Sequence, residues 1–313
     1  MKQTLKHIAL QNLDADLACE VILVDNASTD NTQEKAQTIW SETSCDKIKL
    51  TIVYEPKPGL AYARQTGVTN ASYGYLVFCD DDNWLDKNYI INVYNLFNQH
   101  TEIAVLGGMG IAELENESLK PAWFDYFYQG YAIGPQAEKE GTISGVYGAG
   151  MAVRKSVLKE VTKQPMFLHD RKQNQLTSGG DAEICLRIRL AGYHVLYSPQ
   201  LTFKHFLTTE RLSWSYLKKL HVGLARCNVI VSLYDKALNS ENSKLSSLYW
   251  FKKALYFLGI YLKYWPKQYL VYRNRIGTVE EIHHISWKNI AITYFKYNFQ
   301  TVPIYRKIIA LKK

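Results

Sequence analysis

The sequence predicts an α/β fold: an open sheet flanked by helices over the first two thirds of the chain, followed by a helical extension. Three observations carry that reading. Short apolar runs ending in polar or acidic residues alternate with helix-length segments, the rhythm of strands joined by helices. One of these runs, YLVFCDDDNWL at 75–85, delivers three consecutive aspartates where an open sheet presents its ligand groups, at the carboxyl end of a strand. Beyond residue 207, strand-like runs cease and long helical patterns rich in lysine and aromatic residues take over.

With 313 residues, 47% of them hydrophobic, the chain can build a real core in one or two domains and is not disordered. Its net charge of +8 calls for an anionic partner. The first 200 residues are net acidic and the basic surplus lies in the C-terminal third, so nucleic acid is excluded as a partner of the main domain. Cys19, Cys45, Cys79, Cys185 and Cys227 are scattered without paired spacing, which indicates neither a zinc site nor a disulfide framework and fits a reducing compartment. No charged-then-apolar leader opens the chain and no apolar run reaches the roughly 18 residues of a spanning helix, so the expected location is the cytoplasm.

Taken in order, residues 3–18 read as a helix and its exit loop, with Leu5, Ile8, Ala9 and Leu13 on one face. EVILVDNASTDNT gives a buried strand at 20–24 ending in Asp25, then a loop in which Ser28 or Thr29 can cap a helix beginning near Thr32. An acidic residue at such a strand end suits a ribose or base contact, and a plain strand-to-helix connection fits equally. A helix at 32–43, a strand at 49–54 and a turn forced by Pro56, Pro58 and Gly59 lead to a helix at 60–68. Arg64 on its first turns either faces the same strand ends or is a solvated charge.

At 75–85 two readings compete. Either the triplet Asp80, Asp81 and Asp82 holds a hard divalent cation, or it is an acidic turn in which Asp82 or Asn83 caps a helix over 86–97. An apolar strand at 103–109 precedes an irregular stretch in which Trp123, Phe124, Tyr126, Phe127, Tyr128 and Tyr131 form either a wall over a sugar pocket or a packed subdomain core. Gly148 and Gly150 permit close approach to backbone. A helix at 181–191, stopped by Gly192, carries Asp181 and Glu183 at its N-terminus, where the helix dipole alone favours negative charge. A strand at 194–197 and the strand-like LTFKHF with His205 follow, and 211–236 and 244–273 read as helices. The latter mixes Lys252, Lys253 and Lys263 with Trp250 and Trp265; it lies in a membrane interface, or packs on the preceding domain or in a dimer.

The motifs VDNASTDNT, KPGLAYARQTGV, FCDDDNWL, YGAGMAVRKSVL and GGDAEICLRIRLAGYHVLYSP with a following histidine, in this order and spacing, resemble those of family 2 glycosyltransferases over residues 3–207. The resemblance implies the glycosyltransferase A fold, a Rossmann-like nucleotide half joined to an acceptor half over one continuous mixed sheet. It also implies inverting transfer from a nucleotide-sugar donor, expected to be UDP-linked, with a divalent cation, Mn or Mg. Position by position, it implies that Asp25 contacts the nucleoside base and that Arg64 lies near base and phosphate. Asp80 falls near the ribose, with Asp81 beside it in the donor-binding set, and Asp82 becomes the metal ligand. Asp181 matches the catalytic base, and His205 lies near the metal or diphosphate.

These residue types suit the chemistry. A diphosphate leaving group accumulates charge that a cation can neutralise, and an acceptor hydroxyl needs a carboxylate to take its proton. Residues 1–207 are thus expected to form the catalytic domain. Residues 208–313 are expected to form a basic aromatic extension, with a lipid-linked or cell-surface glycan acceptor and peripheral contact at the inner face of the membrane. The chain departs from the family twice. Gly180 precedes Asp181 where many relatives have Glu, and residue 1 falls inside the family's first helix, after the strand and polar loop that open it. The expected consequence is a gap or exposed groove beside the 20–24 strand, with unpaired backbone groups. The rival reading is a truncated relative that binds nucleotide sugar without turnover.

Overall fold

The computed structural model describes residues 1–168, 179–239, 246–272 and 277–312. The chain runs α1 (Lys2–Ala9), β1 (Cys19–Asp25), α2 (Thr32–Glu42), β2 (Ile48–Tyr54), α3 (Leu60–Asn70), β3 (Tyr75–Val77), β4 (Asn83–Leu85), α4 (Tyr89–Gln99) and β5 (Ile103–Leu114). It continues through α5 (Phe124–Phe127), β6 (Gly141–Thr142), β7 (Ala152–Arg154), α6 (Lys155–Val161), α7 (Gly180–Leu190) and β8 (His194–Leu207). Helices α8 (Trp214–Asn239), α9 (Ser247–Lys267), α10 (Val279–Tyr297) and α11 (Thr301–Ile309) follow. The ends of the expected 244–273 helix lie outside the described residues.

The fold is the expected mixed α/β type. The larger sheet has the order β3-β7-β5-β8-β4, with β6 added to β8; β5 and β8 run parallel and the other pairs antiparallel. Side chains alternate across it with the period of two that a strand imposes. Leu106 and Phe203 pack with Val93, Leu96 and Phe97 of α4, whereas Val105 and Val195 pack with Val157, Leu158, Ile184 and Ile188 of α6 and α7. Full burial of each such side chain contributes about 1.5–3 kcal/mol.

Several sequence expectations are corrected. The sheet is not continuous: β1 and β2 form a separate parallel pair, and among the described residues β1 pairs with β2 alone and β3 with β7 alone. The expected gap beside β1 therefore coincides with a break in the sheet. Residues 20–24 and 75–79 are half-buried rather than buried for the same reason. The helix expected from 86 begins at Tyr89 behind Asn88, and Asn83 is fully buried in β4 opposite His205, so the capping alternative for Asp82 or Asn83 fails. Strand pairing takes precedence because β8 is a single strand of 14 residues, longer than the two short runs read from the sequence.

Phe124, Phe127 and Tyr131 pack with Leu207, Leu217, Leu220 and Ile282, which favours the subdomain-core reading of the aromatic stretch. In the extension, Trp250 is not an interfacial anchor: it is buried with Ile230, Tyr234, Tyr294 and Tyr305 in the core that also takes Leu186 and Leu190 of α7. Among the described residues no helix is long and apolar enough to cross a membrane.

Candidate active site

β7 runs antiparallel to β3, so the loop entering β7 lies where the chain leaves β3. The Phe78 N–H donates to the Met151 carbonyl and joins the two segments at that point. Several of the residues singled out in the sequence fall in two clusters, one of them at this junction.

The first cluster is built on Gly148. Asp181, in the first turn of α7, accepts the Gly148 N–H through Oδ2 at 2.8 Å and the Ala182 N–H through Oδ1 at 2.9 Å, so its carboxylate is oriented by backbone donors. A Cβ at position 148 would lie 2.9 Å from Arg64 Nη2 and 3.1 Å from Asp181 Oδ2; both groups close over the bare glycine. The Arg64 guanidinium carbon stands 5.4 Å from the centroid of the Phe78 ring, which ties α3 to the exit of β3. Arg64 therefore faces the exit of β3.

The second cluster is built on Asp82. Its Oδ2 accepts from Arg211 Nη1 at 2.6 Å and lies 3.5 Å from His205 Nε2, while Oδ1 accepts from Asn83 Nδ2 at 3.0 Å. Burial by itself would raise the Asp82 carboxyl, but the hydrogen bond and charge of His205, with Arg211, outweigh it and lower the group to about 2. His205 Nδ1 meets the Tyr131 carbonyl at 2.6 Å. A carbonyl can only accept, so Nδ1 carries a proton; Nε2 faces Asp82 and Arg211, donating to Asp82 when the ring is charged and offering a lone pair when it is neutral. Asp82 Oδ2 and His205 Nε2 suit one divalent ion as a pair of donors that water and phosphate oxygens would complete. Among the described residues, no group of three or more His, Cys, Asp or Glu side chains forms a closed metal cage.

Asp25 is buried at the end of β1. The Ser28 N–H and Gln33 Nε2 donate to its two oxygens, and hydrogen bonding led by Ser28 holds the carboxyl below its ordinary range against burial. Next to it, Asn26 donates to the Lys57 carbonyl at 2.6 Å and accepts the Gly59 N–H at 2.6 Å, fastening the β1 exit to the turn that launches α3 and Arg64. Asp80 is half-buried at the exit of β3. Asp81 is exposed; its carbonyl accepts the Met1 ammonium and the Thr4 hydroxyl, both at 2.6 Å, and anchors the start of α1. Sequence reasoning missed Asn26 and Arg211. Asn26 sits in a motif that was read for its aspartate, and nothing in the local sequence of the Thr209–Leu212 turn marks Arg211 as a partner of Asp82.

The mixed α/β fold is of the type found in A-fold glycosyltransferases. The chain belongs to glycosyl transferase family 2, whose sequence model matches residues 1–162. A stretch of 87 residues is 31% identical to the glycosyltransferase GlyA of Streptococcus pneumoniae serotype 4; it spans 28% of this chain and 12% of GlyA. The chain is also similar in fold to residues 1–349 of S. aureus TarS in complex with UDP-GlcNAc, with a TM-score of 0.50 and 13% identity over 98% of this chain and 86% of that one. The UDP complex of the same fragment gives a TM-score of 0.48 at 14% identity, with the same coverage.

Proposed function

We propose that this glycosyltransferase inverts configuration while moving a sugar from a nucleotide-diphosphate donor to a hydroxyl of a lipid-linked or cell-surface glycan. In this reading Asp25 contacts the base, Arg64 the base and phosphate, and Asp80, beside Asp81, the ribose. Asp82 and His205 hold Mn or Mg, which when bound neutralises charge on the departing diphosphate. Asp181 takes the acceptor proton; the two backbone donors on its carboxylate fix its direction. The observation that carries the reading is the meeting of Asp181 and Arg64 over Gly148 at the exit of β3, the strand that leads into Asp82. UDP-GlcNAc, the sugar nucleotide bound by TarS, is the first donor to test. We assign residues 1–207 to catalysis and 208–313 to acceptor or membrane contact at the inner face.

Transfer or donor hydrolysis, measured with and without Mn²⁺, tests the assignment. Asp181→Asn is expected to lower kcat by about 10²–10⁴-fold with UDP binding retained. Asp82→Ala is expected to abolish the response to Mn²⁺. Unchanged turnover in either variant removes the role given to that residue. The separation of β1 and β2 from the larger sheet favours a second reading, donor binding without turnover. Calorimetric UDP binding with no product from any donor would establish it.

A further inference from the structure

Arg211 lies outside the motifs of the family resemblance, yet of the Asp82 partners described above it makes the shortest contact. Its Nη1 is 2.6 Å from Asp82 Oδ2 and 3.4 Å from His205 Nε2. All three side chains are largely shielded from solvent: Arg211 is 21% exposed, Asp82 20% and His205 11%. The arrangement is fixed from behind by Tyr131. Its carbonyl holds His205 Nδ1, and its hydroxyl donates to the Arg211 carbonyl at 2.9 Å. The Arg211 N–H meanwhile donates to the Thr208 carbonyl at 3.0 Å. The backbone of Arg211 is therefore pinned, and any rearrangement falls to its long side chain, whose guanidinium also interacts with Tyr216.

We infer that Arg211 is the resident cation of the Asp82–His205 pair, and that a divalent ion enters the pair only by displacing its guanidinium. The inference rests on the proposed reading of Asp82 and His205 as the ion's two donors. Its chemistry is competition for one oxygen. A guanidinium cannot lose its proton to become a ligand. Its Nη1 stands against both Asp82 Oδ2 and His205 Nε2, the position that an ion bridging these two donors would take, so the two cations compete for one place. A cation retained beside a divalent ion would also repel it within a shielded site. When no metal is bound, Arg211 neutralises Asp82 and keeps the pair assembled. Once displaced, its guanidinium is a bidentate donor on a fixed backbone beside the proposed diphosphate position.

The test is Mn²⁺ binding to the full chain without nucleotide, read from the electron paramagnetic resonance signal of free Mn²⁺. Arg211→Gln is expected to bind Mn²⁺ at least ten times more tightly than the wild type. The double variant Arg211→Gln with Asp82→Asn is expected to lose that gain. Should Arg211→Gln not fold, Arg211→Met serves: it keeps the apolar stem, removes the charge and should also tighten binding. Equal or weaker binding in the folded variants, with Asp82→Asn still weakening the wild type, overturns the inference and leaves the metal reading standing. Indifference of Mn²⁺ affinity to Asp82→Asn in every background removes the metal reading, and the inference with it.

Discussion

Gly148 shows how much a single absent methyl group can decide. The space a Cβ would take is occupied from one side by Arg64 and from the other by Asp181, so Gly148→Ala must push one of them off its position. Because both groups stand at the sheet end rather than in the core, the expected result is at least a tenfold fall in kcat/KM with little change in melting temperature. Steady-state kinetics beside a thermal melt would check it. Asp25 makes a prediction of opposite character. Its folded carboxyl lies below the ordinary carboxylate value, so the stability it supplies is present above that value and disappears as pH falls through the folded one. The difference in denaturant midpoint between wild type and Asp25→Asn should accordingly shrink between pH 6 and pH 3. The role of Asp25 as an acidic strand terminus was legible in the sequence. The gathering of Arg64 and Asp181 was not, because an arginine on an exposed-looking helix and an aspartate in a first helical turn each have a sufficient local explanation.

At the scale of elements, α7 is held by a network that the sequence disguised as an ordinary helix N-terminus. The Glu183 carboxylate is fully buried and accepts the Phe167 and Leu168 N–H groups, the Tyr234 hydroxyl at 2.7 Å and the Arg187 guanidinium at 2.8 Å. Arg187 also donates to the Val161, Gln164 and Pro165 carbonyls. Glu183 and Arg187 together thus join the end of α6 and the loop after it, the first turns of α7 and the C-terminal part of α8. Glu183→Ala would leave a buried guanidinium without its anion, a loss of about 3–5 kcal/mol by analogy with other broken buried pairs. Chemical denaturation measures it; a loss below 1 kcal/mol would mean that water or a neighbour replaces the carboxylate. Helix-dipole chemistry predicted acid at this position correctly. It could not predict the partners, since Tyr234 lies 51 residues further along the chain.

For the whole molecule, α9 carries two faces with different destinations. Trp250 and Ala254 enter the core shared by α7, α8, α10 and α11, while Leu248, Leu255, Tyr256, Leu262 and Trp265 remain exposed beside Lys252, Lys263 and Lys267. With Ile292 and Phe295 of α10 and Phe299 just beyond it also exposed, an apolar basic face suits the headgroup region of an anionic membrane. The chain should therefore sediment with vesicles containing phosphatidylglycerol and much less with neutral ones, and Lys252→Glu with Lys263→Glu should release it. Equal sedimentation with both vesicle types would remove the charge argument. The alternation of strands and helices, the family and the aspartates at strand ends were determined by the sequence alone, because side-chain period, turn residues and motif spacing are local properties of the chain. Tertiary structure alone decided the break between β1 and β3, the burial of Trp250, and the guanidinium on Asp82. Each depends on which surfaces meet, and Arg211 and Asp82 are 129 residues apart, a separation across which no local pattern carries information.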